Sequence, residues 1–138
     1  MRKATLLLAS MALAMLLASG VAWAATIKGT EGPDTLQGTP SRDVIIPFDG
    51  DDTVYAEGGN DDVRHSFGDD TIYGGAGGDT LRGGRGSDTI YGGPGRDLID
   101  CAYKETRAGD VEDTAYATLG EDTVVDCKTV IYGNPTDV

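Results

Sequence analysis

Histidine is almost missing from this 138-residue chain, where His65 stands alone. Cysteine is limited to Cys101 and Cys127, and aromatic residues make up 7%. With no second base or cysteine near it in sequence, His65 reads as a turn residue, not a catalyst. The HExxH, GxSxG and phosphate-loop patterns are absent too, and with them the hydrolase and nucleotide-loop chemistries they carry. No enzyme is expected. Positive charge is also short: 11 Lys and Arg stand against 23 Asp and Glu, a net charge of −12. Such a chain would be repelled by nucleic acid and by anionic lipid, so neither is an expected partner. The apolar run from Ala4 to Ala18 is short for a bilayer span. It follows the basic pair Arg2-Lys3 and precedes Ala22-Trp23-Ala24, whose small residues suit a signal peptidase. Residues 1–24 are therefore expected to be a cleaved signal peptide, and the mature chain to be secreted and not in the membrane. Removing them takes away two basic residues and no acidic one, which moves the formal charge to −14.

What the chain has in quantity is glycine and aspartate, in strict order. Residues 74–100 read GGAGGDTLR, GGRGSDTIY, GGPGRDLID, three nine-residue units of the pattern GGxGxDxUx with U a large aliphatic residue. The phase holds upstream through HSFGDDTIY from His65, AEGGNDDVR from Ala56 and PFDGDDTVY from Pro47. It continues back through GTPSRDVII from Gly38 and GTEGPDTLQ from Gly29. The sixth position is Asp in every unit: Asp34, Asp43, Asp52, Asp61, Asp70, Asp79, Asp88 and Asp97. The eighth is aliphatic in every unit: Leu36, Ile45, Val54, Val63, Ile72, Leu81, Ile90 and Ile99. Two columns in register over this length define an internal repeat, which sets the fold before local propensity does.

Each unit divides into a turn and a short strand. The glycines tolerate positive φ and Asp stabilises turns, so GGxGxD reads as a tight loop. The last three residues alternate polar, apolar, polar, which on a strand sends the eighth position to one face and its neighbours to the other. Two units then close one 18-residue coil, and stacked coils give two parallel sheets with the aliphatic column between them. That core is thin against the entropy of ordering the backbone. On one edge Asp34, Asp52, Asp70 and Asp88 form a column; on the other, Asp43, Asp61, Asp79 and Asp97. Carboxylates repeating at the strand spacing of about 4.8 Å repel one another, and a divalent cation between them reverses the sign. Carboxylate and freed carbonyl oxygens in flexible turns favour calcium over zinc or magnesium. The expected cofactor is thus several Ca2+ ions, held in the weak extracellular range of about 10⁻⁴–10⁻³ M.

These units resemble the RTX family, the haemolysin-type calcium-binding repeats of secreted bacterial toxins, proteases, lipases and epimerases. The likeness covers residues 29–100 and is most specific from Gly74 onward. It implies an all-β fold, a right-handed parallel β-roll that orders when calcium is met. It also implies that the sixth-position Asp and the carbonyls of the glycine turn hold the ion. Those positions are Asp70, Asp79, Asp88 and Asp97 first, then Asp61 and Asp52, with Gly75, Gly77, Gly84, Gly86, Gly93 and Gly95 shaping the turns. The pairs Asp79–Asp97 and Asp70–Asp88 are the leading sites. The turns with Glu31 and with Pro40-Ser41 depart from the pattern and are expected to hold calcium weakly or not at all. Many relatives carry a catalytic or pore-forming domain upstream; this chain reads as a free-standing roll, and their activities do not carry over.

After Asp100 the phase is lost. Ala102 to Ala117 reads as an excursion, and the rhythm returns faintly at Gly120 to Val124, so residues 101–138 are expected to form a C-terminal cap on a roll spanning 25–100. Cys101 and Cys127 flank the excursion. Two cysteines in an exported chain most simply pair, tying the last repeat to the cap.

The two sheets differ on their outer faces. One is expected to carry Thr35, Thr53, Thr71 and Thr89 beside Gln37, Tyr55, Tyr73 and Tyr91; the other has no such order. Thr and Tyr ladders stabilise sheets by cross-strand pairing. They would also serve as a flat ligand surface for a glycan or cell surface, or an ice-binding face, with calcium only structural.

Overall fold

Eighteen residues carry the chain once around a flattened coil, because each pair of nine-residue units supplies two strands and two turns. The computed structural model describes residues 23–64, 66–102, 112–118 and 121–133. His65 and nearly all of the segment read as a signal peptide lie outside these. Among the described residues there are thirteen strands and no helix. In chain order they are β1 (Thr26–Lys28), β2 (Thr35–Gln37), β3 (Val44–Ile46), β4 (Thr53–Tyr55), β5 (Asp62–Val63), β6 (Ser66–Phe67), β7 (Thr71–Tyr73), β8 (Thr80–Arg85), β9 (Thr89–Tyr91), β10 (Leu98–Ala102), β11 (Thr114–Ala117), β12 (Thr123–Val125) and β13 (Thr129–Tyr132).

These strands stack into two parallel sheets, making a β-solenoid of about five turns. The first runs β1-β3-β5-β8-β10-β12, with β6 beside β8; the second runs β2-β4-β7-β9-β11-β13. Strands are short because only three residues of each unit are free of turn duty. Alternation sets their faces: Leu36, Ile45, Val54, Val63, Ile72, Leu81, Ile90 and Ile99 are all buried in one core. The expected aliphatic column is therefore the core.

The stacking register also explains why the repeat fades after Asp100. Thr53 pairs with Thr71 and Thr71 with Thr89, one coil apart. Thr89 then pairs with Thr114, and Leu98 with Thr123, seven residues further on than the coil length. The chain inserts residues and returns to the same ladder. β11 adds Ala115 and Ala117 to the core, and Val124 and Val130 pack against it. The segment read as a cap thus extends both sheets, and the excursion ends before Asp113 instead of at Ala117. Cys101 and Cys127 form a disulfide with Cα atoms 5.0 Å apart, as their scarcity predicted. It joins buried Cys101 in β10 to the residue two beyond β12.

The outer faces sort as the coil length requires. On the second sheet Thr35, Thr53, Thr71, Thr89, Thr114 and Thr129 share one column. Beside it the rings of Tyr55, Tyr73, Tyr91 and Tyr116 stack in series, with centroids 5.0, 4.7 and 4.4 Å apart and planes within 10°. On the first sheet Asp62 receives Arg82 at 2.7 Å and Arg64 at 3.6 Å.

Candidate metal sites

Both edges of the solenoid carry a column of aspartates that the turns drive inward. Asp43, Asp52, Asp61, Asp70, Asp79, Asp88, Asp97 and Asp113 are each no more than 2% exposed. One oxygen of each is fixed the same way. The backbone N–H of one rung donates to Oδ1 of the Asp one coil later: Asp34 to Asp52 at 2.8 Å, Asp52 to Asp70 at 2.8 Å, Asp70 to Asp88 at 3.0 Å. The opposite edge repeats it from Asp43 to Asp61 at 2.7 Å, Asp61 to Asp79 at 2.8 Å and Asp79 to Asp97 at 2.9 Å. The bond survives the insertion, since Asp88 donates to Asp113 at 2.8 Å and Asp97 to Asp122 at 3.0 Å.

The second oxygen separates the turns into two kinds. Oδ2 of Asp52, Asp61, Asp79, Asp88 and Asp97 is buried, with no hydrogen-bond donor among the described residues. A buried carboxylate oxygen without a partner is costly, and native structures rarely tolerate five in one small fold. In the other turns a nearby group donates into Oδ2. The N–H of Thr30 reaches Asp34 at 2.5 Å, that of Thr39 reaches Asp43 at 2.6 Å, and that of Thr118 reaches Asp122 at 2.6 Å. The hydroxyls of Thr30 and Thr39 add bonds at 2.9 and 3.0 Å. Asp70 Oδ2 accepts from the Ser66 hydroxyl.

Electrostatics follow the burial. Asp79 and Asp88 are pushed up to about 7, first by burial and then by the neighbouring carboxylates, against the pull of the N–H bond. Asp97 is raised to about 6 by burial, with Asp122 and Glu121 adding. Asp70 also rises to about 6 through burial, held back first by the Ser66 hydroxyl. Burial raises Asp52, Asp61 and Asp113 as well. Without a counter-charge these groups resist ionisation.

The glycines of the predicted turns allow the rungs to approach. A Cβ on Gly77 would lie 1.5 Å from Gly59 O, one on Gly95 1.6 Å from Gly77 O, and one on Gly86 2.1 Å from Gly68 O. At the second position of the unit, Gly75, Gly84 and Gly93 have φ of 87, 119 and 94°. Phe48 and Glu57 hold φ of 77° at the same position without being glycine. Strain of that kind in a non-glycine residue persists only where the surroundings impose it.

The buried oxygens fit a hard dication. Among the described residues no three His, Cys, Asp or Glu side chains converge on one point. Each site would therefore draw its carboxylate oxygens from successive rungs and the rest from backbone carbonyls of the turns, a donor set suited to calcium. The structure brings the predicted Asp61, Asp79 and Asp97 together as three consecutive rungs with unpartnered Oδ2. It places Asp70 between Asp52 and Asp88 but gives its Oδ2 to Ser66. Thr53, Tyr55, Thr71, Tyr73, Thr89 and Tyr91 lie on one outer face, as expected. The residues that sequence reasoning missed are Asp113 and Tyr116; the signal was the Asp-Thr-x-Tyr tetrad at 113–116, the same as at 52–55, 70–73 and 88–91, whereas Asp122 lies in the faint return at Gly120 to Val124.

A family model described as RTX calcium-binding nonapeptide repeat matches in four copies, over residues 28–63 and 66–99, half of the chain. No curated protein and no solved structure gives a significant match.

Proposed function

Since the chain belongs to the RTX family of calcium-binding nonapeptide repeats, we propose that it is an exported, non-enzymatic protein whose roll is ordered by several calcium ions held between successive turns. The observation that carries this is the set of five buried Oδ2 atoms at Asp52, Asp61, Asp79, Asp88 and Asp97. Calcium supplies positive charge and accepts oxygen donors without fixed geometry. The chain does the rest. Each N–H bond to Oδ1 fixes a carboxylate so that its Oδ2 stays at the turn, and the glycines of Gly75–Gly95 bring neighbouring turns within reach. Ordering of the roll then becomes linked to calcium, because the unfolded chain has no such array.

Export is supported by the basic and apolar start of the sequence, by Ala22-Trp23-Ala24, and by the disulfide, a bond that persists in oxidising compartments. No helix among the described residues is long and apolar enough to cross a membrane. A non-enzymatic role is supported by the single histidine and by the commitment of the carboxylates to the ladders. The Tyr row favours pairing over a glycan platform. A sugar packs on an aromatic face, and the rings of Tyr73 and Tyr91 are each covered on both sides by their neighbours.

The test is far-UV circular dichroism of the chain from Ala25 onward, titrated with calcium and then with chelator at physiological salt. Sheet signal should appear with the ion and disappear with its removal. A chain that keeps its sheets after thorough chelation overturns the proposal. Protein recovered from culture medium should begin at Ala25, read by N-terminal sequencing.

A further inference from the structure

The nine-residue pattern treats all its turns as equal, but the backbone does not. In the turns ending at Asp52, Asp61, Asp79, Asp88 and Asp97, the residue four before the Asp is Phe48, Glu57, Gly75, Gly84 or Gly93, and all five have positive φ. Those same five aspartates have the unpartnered Oδ2. In the turns ending at Asp34, Asp43, Asp70 and Asp122 that residue is Thr30, Thr39, Ser66 or Thr118, none with positive φ. Those four aspartates have Oδ2 hydrogen-bonded to that residue. Among the described turns the correspondence has no exception.

The physical reason is the direction of one peptide unit. With negative φ at the second position, the N–H of Thr30, Thr39 or Thr118 points at the carboxylate and donates to Oδ2. Positive φ rotates that N–H away and leaves Oδ2 without it. Ser66 reaches the same end with its hydroxyl alone. We propose that this second-position residue decides whether a turn takes a cation, with Thr or Ser donating hydrogen bonds where the other turns hold calcium. The inference rests on the calcium reading above and adds which turns are excluded from it.

The consequence is a defined layout. Thr39 and Thr118 close the two ends of one edge, and Asp61, Asp79 and Asp97 between them form an uninterrupted run with two adjacent pairs. On the other edge Thr30 closes the front turn, and Ser66 splits the column between Asp52 and Asp88. The ends of the roll hold together by hydrogen bonds, and the middle of one edge is where calcium acts.

Substituting Ser66 tests this directly. Ser66→Gly gives that turn the residue found at Gly75, Gly84 and Gly93, and it creates the adjacent pairs Asp52–Asp70 and Asp70–Asp88. Calcium alone is the probe, and bound ions per chain are counted by equilibrium dialysis and native mass spectrometry on the disulfide-intact protein. The expected result is a gain of about two bound calcium ions per chain in Ser66→Gly, one for each pair created. The converse variant, Glu57→Thr, installs a donor beside Asp61 and should lower the count by about one, because the Asp61–Asp79 pair is lost. If Glu57→Thr fails to fold in calcium, Ser66→Gly decides alone. Counts unchanged in Ser66→Gly, with the wild-type chain binding calcium, overturn the rule and leave the calcium reading standing. A wild-type chain that binds no calcium overturns both.

Discussion

The two edges of the solenoid are built from one repeat and finish as different chemical surfaces. One presents Asp61, Asp79 and Asp97 in succession, each with a buried oxygen lacking a donor; the other alternates Asp52 and Asp88 with an Asp70 already satisfied by Ser66. The residue before each Asp sharpens the contrast. On the first edge it is Arg42, Asn60, Gly78 and Arg96; on the second it is Pro33, Asp51, Asp69 and Ser87. Both edges build an outer bond from these residues. On the second, Asp69 N–H donates to Asp51 at 3.0 Å and Ser87 N–H to Asp69 at 2.8 Å, so the acceptors are carboxylates. On the first, Gly78 N–H donates to the neutral Asn60 amide oxygen at 2.9 Å. An invariant Asp is therefore not enough to define a site. The turn around it decides what its second oxygen meets.

The largest effect should come from glycines that let rungs touch. Gly77→Ala on the first edge places a Cβ against Gly59 O at positive φ, so it should cost more than about 3 kcal/mol and abolish calcium-induced sheet signal. Gly32→Ala in a front turn meets nothing within 4 Å and has no positive φ, so its effect should stay within about 0.5 kcal/mol. Thermal melts in calcium separate the two. Equal melts would show that the front and central turns are alike.

Next in size is the contrast between carboxylates. Asp79→Asn removes the middle of the uninterrupted run and should weaken calcium binding by at least about tenfold, near 1.4 kcal/mol, by calorimetry. Asp70→Asn should weaken it by less than about threefold, or roughly 0.6 kcal/mol. The reverse order would break the distinction drawn between the edges.

Acidity should treat both edges alike. Asp79 on one and Asp88 on the other are raised to about 7, Asp97 and Asp70 to about 6, all above their unfolded value near 3.8. A raised carboxylate pKa means that the folded chain holds the extra protons. In chelator, the stability this brings is fully present below about pH 4 and is lost as pH rises through 6 to 7. In calcium the dependence reverses, since protons compete with the ion and affinity falls as pH drops below 7. Sheet signal in chelator should be larger at pH 5 than at pH 8, and calcium affinity should be lower at pH 5 than at pH 8.

The smallest effect on calcium belongs to the outer face. Tyr73→Ala removes two stacked contacts and should cost about 1–2 kcal/mol in stability while leaving the calcium count unchanged. A changed count would tie the face to the edges.

Much of the architecture was legible because a period of nine leaves few choices. The Asp column located the edges, the aliphatic column located the core, and the 18-residue coil placed Thr and Tyr on one face. Two things were not legible. Phe48 and Glu57 adopt the glycine conformation through the stacking of neighbouring rungs, so composition made their turns look weaker than Asp52 and Asp61 show them to be. In the front turns attention falls on Glu31 and Pro40-Ser41, whereas Thr30 and Thr39 make the bonds to Oδ2. Beyond Asp100, counting in nines fails because the chain inserts residues between rungs, although Asp113 and Asp122 rejoin the columns.

The bond from each rung's N–H to the next carboxylate always points the same way along the chain. Ala25 needs Asp43, Asp43 needs Asp61, and so on to Asp97, which needs Asp122. A polypeptide emerging amino-end first therefore always has its newest coil waiting for an acceptor still to come. Shortening from the carboxyl end strands the N–H of the last remaining Asp, whereas trimming from the front leaves every donor of this Asp ladder with its acceptor.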